Sequence, residues 1–277
     1  MVRQRAGQTA HELPDRAYSS AQLQNRILNF QTPFISNSNL MKKIIYIALC
    51  FCAIASTSCR KTIGEGPVRT ESRPVGNFAS IDAGIPGEIL FTQGPNLRLE
   101  LEAQQNILDV LETYVSAGRL VIKVRSNRNI KTSERIVVRV EGPMLEAFHL
   151  SGSGNARVAG AFVVPDLFTA SVSGSGNLQL DSLRAARMSA SVSGSGYLSV
   201  GGGAIANATY RVSGSGHLEA SNLESARVDA ATSGSGGIRL FATQWLTASV
   251  SGSGGIAYRG NPQVEVHVSG SGRVTRL

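Results

Sequence analysis

The sequence has no cysteine after Cys59 and few aromatic residues, and both absences limit the kind of fold it can form. The chain beyond Cys59 can hold neither a disulfide nor a thiolate metal ligand. An aromatic content of 6% beside 30 glycines favours tightly stacked strands over a helical bundle. From residue 60 onward, 21 basic residues face 17 acidic ones, a net +4 without a cluster, so nucleic acid is not an expected partner.

The sequence contains no apolar run long enough for a typical membrane span. Its longest apolar run has the form of a secretory signal. Met41-Lys-Lys precedes an apolar stretch from Ile44 to Ala55, which is short for a permanent membrane span. Ala55-Ser-Thr-Ser-Cys59 resembles a bacterial lipobox, although Leu is absent three residues before the cysteine. We therefore predict a lipoprotein signal peptide over residues 41–59, with Cys59 acylated and holding the protein to a membrane. The alternative is a membrane anchor or a buried helix.

A signal peptide normally begins a chain, whereas residues 1–40 precede Met41. The simplest hypothesis is that residues 1–40 are an over-extended, disordered N-terminus and that Met41 is the true start; a genuine leader is the alternative. Residues 60–77 carry two prolines and several charges with little periodicity, which predicts a tether.

The motif Ser-Gly-Ser-Gly occurs seven times, and its copies follow one another at nearly constant intervals from Ser151 to Ser269. A regular period of about 20 residues indicates stacked repeats, because a flexible linker would show no pattern between its Gly-Ser blocks. Apolar residues alternate with polar ones on both sides of each motif, which is typical of half-buried strands. We therefore predict an all-β, parallel β-helix or solenoid over residues 146–277, about 20 residues per rung and ~4.8 Å between rungs.

The same alternation places the motif glycines inward and the serines outward, and a bend at the motif would reverse some of them. If the serines face outward, they form rows of hydroxyl groups along one flank. The members of this candidate surface ladder are Ser151, Ser153, Ser173, Ser175, Ser193, Ser195, Ser213, Ser215, Ser233, Ser235, Ser251, Ser253, Ser269 and Ser271.

Residues 78–145 predict further β structure, with one or two helical turns within 106–114. We expect this region to form an N-terminal β cap on the same body, since the terminal repeats of a solenoid are usually atypical. The last rung is short, and Arg273 and Arg276, or a partner, must protect its edge from pairing.

The order Val75-Gly-Asn-Phe78, then Leu120-Val-Ile-Lys, then Pro143-Met-Leu145 leading into Leu150-Ser-Gly-Ser-Gly154 resembles the auto-transporter adhesin head GIN domain family. The resemblance covers about residues 76–277. It implies a right-handed β-helix-like fold on a Bacteroidetes-type lipoprotein, and its adhesin label says little about function.

Catalytic constellations are missing from the repeats. The acids Asp229 and Glu265 share a repeat position two rungs apart, ~10 Å, which is too long for a retaining glycosidase pair and at the limit for an inverting one. His149 and His267 share a position six rungs apart, so they cannot bind one metal ion. We predict no catalytic residues, no metal and no cofactor.

We expect a non-enzymatic, lipid-anchored envelope protein that acts in adhesion, as a scaffold or in another interaction. The alternative is a carbohydrate-binding or carbohydrate-active β-helix, for which Tyr197, Trp245 and Tyr258 are the aromatics available to stack on a sugar. A solubilising coat and ice binding are the other interpretations of the hydroxyls. The expected partners are the membrane, an unknown protein or glycan, and a second copy bound weakly. Arg60-Lys61 after the cysteine favours an outer-membrane lipoprotein that faces the periplasm over one exposed at the cell surface.

Overall fold

A computed structural model describes residues 60–277, and these form a β-solenoid of about six turns with roughly 20 residues per turn, which confirms the predicted fold class. The predictions for residues 1–40, for the signal peptide at 41–59 and for lipidation of Cys59 lie outside the described residues. Across 60–277, no helix has the length and apolar character needed to cross a bilayer.

Ten strands build the repeat region, and every pairing between them is parallel. They are β10 (Ala147–Gly152), β11 (Asn155–Gly174), β12 (Asn177–Gly194), β13 (Tyr197–Val200), β14 (Gly203–Gly214), β15 (His217–Gly234), β16 (Gly237–Gly252), β17 (Gly255–Arg259), β18 (Gln263–Gly270) and β19 (Arg273–Arg276). The long strands bend around the corners of a rung, so one strand supplies more than one side of the solenoid.

The rungs stack so that each motif lies directly on the motif before it. Ser151 pairs with Ser173, and the same register continues through Ser193, Ser213, Ser233, Ser251 and Ser269. The rungs nevertheless become shorter along the chain, because the motifs follow one another more closely toward the C-terminus. In the first long rung the extra residues are absorbed by register shifts between Val158 and Ala161 and between Val164 and Leu167. Length variation is therefore confined to the two corners away from the motif.

The core is a continuous stack of apolar side chains inside the coil. One row, immediately before each motif, contains Val172, Val192, Val212 and Val250, each no more than 2% exposed. Thr232 occupies the same row and remains buried because its hydroxyl donates to the carbonyl of Gly236 at 3.3 Å. Burial of these rows is the main favourable contribution to folding, since each fully buried Val or Leu stabilises by about 1.5–3 kcal/mol.

The N-terminal region adds nine strands and one helical turn. They are β1 (Arg60–Ile63), β2 (Val68–Ser72), β3 (Ser80–Gly84), β4 (Glu88–Gln93), β5 (Arg98–Gln104), α1 (Gln105–Leu108), β6 (Leu111–Ser116), β7 (Arg119–Val124), β8 (Arg128–Lys131) and β9 (Val137–Gly142). The expected helical turns reduce to α1, and β6 begins after two intervening residues.

This region caps one end of the solenoid by changing strand direction. β3 and β4 continue the parallel stack beneath β10 and β11, and β7 and β9 add one more parallel layer. Beyond that layer the pairing becomes antiparallel, β5 with β9, β2 with β5 and β6 with β7. The antiparallel strands end the stack and cover its core.

Residues 60–77 differ from the predicted tether, because β1 and β2 pair with the folded body. β1 runs parallel to β8, and β2 runs antiparallel to β5. Arg73 fixes the segment further: its guanidinium donates to the carbonyls of Leu108 and Leu111 at 2.8 and 2.7 Å. The polar sequence of this segment suits an edge strand, whose exposed face carries no apolar alternation, and this explains why the pattern did not reveal it.

The two glycines of each motif meet different constraints. The first has a left-handed backbone, with φ between +80° and +114° at all seven copies, because the chain turns the corner there. The second glycine is buried at six of the seven corners, and a side chain on it would strike the rung below. At Gly176, for example, a Cβ atom would lie 2.6 Å from the carbonyl oxygen of Gly154.

Substitutions at the first glycine separate backbone strain from stacking. An alanine Cβ at position 152 would meet open space. Gly152→Ala should therefore lower the free energy of unfolding by about 1–2 kcal/mol, through the strain of a left-handed backbone alone. Gly214→Ala places a Cβ 2.7 Å from the carbonyl oxygen of Gly194 and should destabilise by roughly 1–3 kcal/mol more. Free energies of unfolding from urea denaturation test this; equal losses at the two positions would contradict the close approach between rungs.

Candidate functional site

The motif serines all lie on the surface of the solenoid. The first serine of each motif belongs to the straight sheet that runs into the corner, and the second follows the corner glycine. We call these the first-serine row and the second-serine row, starting at Ser151 and Ser153 respectively. Ser151 Oγ donates to the carbonyl of Ala83 at 3.3 Å, and within residues 60–277 the other motif hydroxyls make no hydrogen bond to protein. These hydroxyls are therefore free to bind water or a ligand.

Two more rows of outward side chains lie beside the first-serine row on the same sheet. Two residues before the motifs, Ser171, Ser191 and Ser249 carry hydroxyls and the other four rungs carry histidine, arginine or alanine. Four residues before the motifs, hydroxyls stand at Thr169, Ser189, Thr209 and Thr247. Neighbouring rungs are ~4.8 Å apart and outward residues on one strand ~7 Å apart. The result is a face on which the first-serine row is continuous and the two neighbouring rows carry a hydroxyl on only some rungs.

A shallow groove of about 830 Å³ follows this face, and we call it the serine groove. The first-serine row from Ser193 to Ser269 lines one side, and the residues two before each motif line the other. Buried residues such as Val192 and Val212 also line it, so their backbone forms the floor. Arg211 is the main charged group, and it pairs with Asp229 at 3.4 Å. The groove is long, shallow and nearly neutral.

A second groove, of about 420 Å³, lies on the other side of the corner, and we call it the tyrosine groove. It follows the row four residues after the first serine, where Tyr197, His217, Gly237, Gly255 and Arg273 stack in register. The two glycines leave a gap in this row because they have no side chains. The gap is bounded by His217 on one side and Arg273 on the other, three rungs or ~14 Å apart.

Polar groups surround the gap in the tyrosine groove. Glu219 and Arg239 lie on one wall and form an ion pair at 3.6 Å, and Ser235 and Ser253 lie on the other. Partial burial raises the pKa of the Tyr197 hydroxyl; the negative charge of Glu219 adds to the effect and Arg239 opposes it. The tyrosine therefore stays neutral and can donate a hydrogen bond beside a charged pair.

Five of the six acidic residues between 166 and 265 contact a basic side chain or His267, and they are not gathered at one point. Arg157 holds Asp181 through two contacts of 2.9 Å, and Arg187 holds Asp166 at 3.0 and 2.8 Å. These arginines hold the pKa values of both carboxyl groups below their usual range, and the backbone N–H of Gly160 adds to the effect at Asp181. Both ion pairs join adjacent rungs, so they stabilise the stacking of one rung on the next.

Asp229 and Glu265 lie two rungs apart, in the register expected from the sequence. Asp229 contacts Arg211, and Glu265 lies 3.2 Å from the Nε2 atom of His267. His149 Nδ1 shares a 2.6 Å hydrogen bond with the hydroxyl of Ser171. In the described part of the chain, no group of three or more His, Cys, Asp or Glu side chains is placed to hold a metal ion.

The three aromatic candidates occupy different environments. Tyr197 and Trp245 are each 40% exposed, whereas Tyr258 is partly buried and packs against the core. Trp245 donates from Nε1 to the hydroxyl of Thr247 at 3.1 Å, so it lies along the outer surface of the sheet and outside the core. Only Tyr197 lines one of the two grooves.

The match to a family model is decisive for identity. Residues 77–262 match the family described as "Putative auto-transporter adhesin, head GIN domain". The chain belongs to this head GIN family. The match begins near Phe78 and extends through the sixth motif, so it includes β3 to β9 of the cap and most of the rungs.

Solved structures with this fold include two from Bacteroidetes. A protein described as a putative adhesin from Bacteroides fragilis is 24% identical, with a TM-score of 0.73 over 78% of this chain and all of that one. A protein described as a putative lipid binding protein from Parabacteroides distasonis is 22% identical, with a TM-score of 0.65 over 79% of this chain and all of that one. At these identities the two structures establish the fold alone. No curated protein matches the chain.

Sequence reasoning missed the tyrosine groove because it followed the inward rows on either side of each motif. The signal was available in the outward row four residues after the first serine. On two adjacent rungs this row has glycine, at Gly237 and Gly255, in place of a larger side chain. A gap in an outward row of a solenoid marks a depression in its surface. Aligning the outward positions of the seven repeats would have revealed it.

Proposed function

We propose that this head GIN protein is a non-enzymatic, lipid-anchored interaction module of the cell envelope. The observation that carries the proposal is the serine groove, where a row of unpaired serine hydroxyls is held in register across the rungs beside apolar surface. A long neutral surface of this kind suits an extended partner bound through many weak contacts, and it offers no deep site for a small molecule. The ion pairs that occupy the acids support a structural role for those residues.

Attachment through Cys59 would hold the capped end of the solenoid near the membrane, because the described chain starts at that end with β1. The rungs would then extend away from the lipid, with the grooves accessible along the flank. We propose an outer-membrane location facing the periplasm, supported by the basic residues Arg60 and Lys61 directly after the cysteine.

The anchor makes a direct prediction. Cys59→Ala should abolish labelling by a fatty-acid analogue, because the thiol that carries the acyl chain is gone. Cys52→Ala is the matched control, since it removes a thiol from the same segment and should leave the labelling unchanged. Fatty-acid labelling that persists without Cys59 would contradict the anchor.

The two serine rows allow a matched test of the serine groove. The triple variant Ser193→Ala, Ser213→Ala, Ser233→Ala removes hydroxyls from the groove, while the control Ser175→Ala, Ser195→Ala, Ser215→Ala removes as many from the second-serine row, outside both grooves. We expect the first variant to weaken binding to immobilised peptidoglycan sacculi by about tenfold, a loss of about 1.4 kcal/mol spread over three hydrogen bonds, and the control to bind normally. Equal binding by all three proteins would contradict the assignment of the groove.

Carbohydrate binding is the second candidate function, and the tyrosine groove favours it. An exposed tyrosine beside a charged pair and two hydroxyls combines an apolar platform with directional hydrogen bonds, as recognition of a sugar ring requires. A glycan array provides the test. Specific signals should fall at least about tenfold on Tyr197→Ala and persist on Trp245→Ala, which removes an equally exposed aromatic outside both grooves. Loss on Trp245→Ala instead would move the sugar site away from the groove.

A further inference from the structure

The final rung exposes the row of residues that every earlier rung buries. Val264, Val266 and Val268 in β18 are 38%, 47% and 46% exposed. Their partners in the preceding rung, Leu246, Ala248 and Val250, are at most 2% exposed. The solenoid interior therefore opens to solvent at this end as an apolar strip one strand wide.

The backbone of the same strand is also unpaired on its outer edge. Among residues 60–277, β18 pairs only with β16, and β19 pairs only with β17. Every residue of β18 is exposed. An unpaired, regular edge with a valine at alternate positions is a template for another strand, and nothing within β18 itself, such as a proline, a lysine or a bulge, protects it.

We propose that this edge pairs with β18 of a second copy of the chain, antiparallel, about a twofold axis through Val266. The sequence Val264-Glu265-Val266-His267-Val268 reads symmetrically about its centre, with an acid on one side and an imidazole on the other. Antiparallel pairing centred on Val266 sets Val264 opposite Val268 of the second copy. It also sets Glu265 opposite His267, twice.

This register gives favourable contacts on both faces of the strand. On the inner face the valines of the two copies meet and continue the apolar core across the interface. On the outer face each Glu265 carboxylate faces the His267 imidazole of the other copy, while the His267 of its own strand lies 3.2 Å away. A shift by one residue would set valines against charged groups. A shift by two would keep the valines together but set Glu265 opposite Glu265 or His267 opposite His267, so the register centred on Val266 is favoured.

The arrangement ends after two copies. The opposite end of the solenoid is closed by the antiparallel strands β2, β5 and β6, and its outermost paired strand, β2, carries Arg69 and Glu71. A head-to-tail stack would need an open parallel edge at both ends. An interface that uses the same patch on each copy closes on itself and gives a dimer.

Cysteine cross-linking tests the register in the full chain. Residues directly opposite in an antiparallel pair have Cα atoms ~4.5–5.5 Å apart, which suits a disulfide. Val266→Cys should therefore give a disulfide-linked dimer on a non-reducing gel after mild oxidation. Val264→Cys is the matched control, because residue 264 lies opposite residue 268 of the second copy. The two cysteines at 264 are then four residues apart along the strand, ~14 Å. The double variant Val264→Cys, Val268→Cys should cross-link again.

Mass measurement provides the second readout. Multi-angle light scattering of the unsubstituted full chain at micromolar concentration in detergent should give a dimer after the detergent mass is subtracted. Val266→Glu should raise the dissociation constant at least about a hundredfold, because two like charges would meet at the axis. Its circular dichroism and melting temperature report that the solenoid remains folded. A monomer before substitution, or equal cross-linking at 264 and 266, would overturn the proposal.

Discussion

The hydrogen bond between successive corners is the interaction on which the rest of the solenoid depends. The amide of Ser175 donates to the carbonyl of Gly152 at 2.9 Å, and that of Ser195 to the carbonyl of Gly174 at the same distance. Because these bonds join backbone to backbone at a turn, they fix the height of one rung above the next and align the motifs. The core rows, the serine rows and both grooves all follow from that alignment.

The period and the alternation were sufficient to predict the solenoid, because both are direct consequences of strand geometry. The seven motifs defined the rung, and the rows led by Val172 and Leu178 defined the core. The cap was predictable only in outline. Its strands pair out of sequence order, β7 beneath β3 and β9 beneath β4, and such long-range pairings leave no local trace. The strands β1 and β2 were missed for a related reason, since their partners β8 and β5 lie far along the sequence.

The candidate site, like the fold, was only partly predictable from the sequence. The exposure of the serines depends on whether the chain bends before or after the second serine, and the sequence left both orientations open. The positive φ of the first glycine places the bend between the two serines, and both remain outside while the second glycine turns in. The tyrosine groove depends on what two glycines lack, and a missing side chain is visible only when the repeats are aligned position by position. Function was the least predictable level, because hydroxyls and ion pairs serve stability and recognition equally well.

The unequal rungs have a consequence for how such a protein can vary. Extra residues are absorbed at the corners near Ala159 and Pro165, while the side that carries the first-serine row keeps its register from Ser151 to Ser269. One rung is thus an exchangeable unit: duplicating or deleting it lengthens or shortens the rod by ~4.8 Å without altering the first-serine row on its flank. The spacing between rungs is therefore fixed, while the number of rungs, and with it the length of the solenoid, can change.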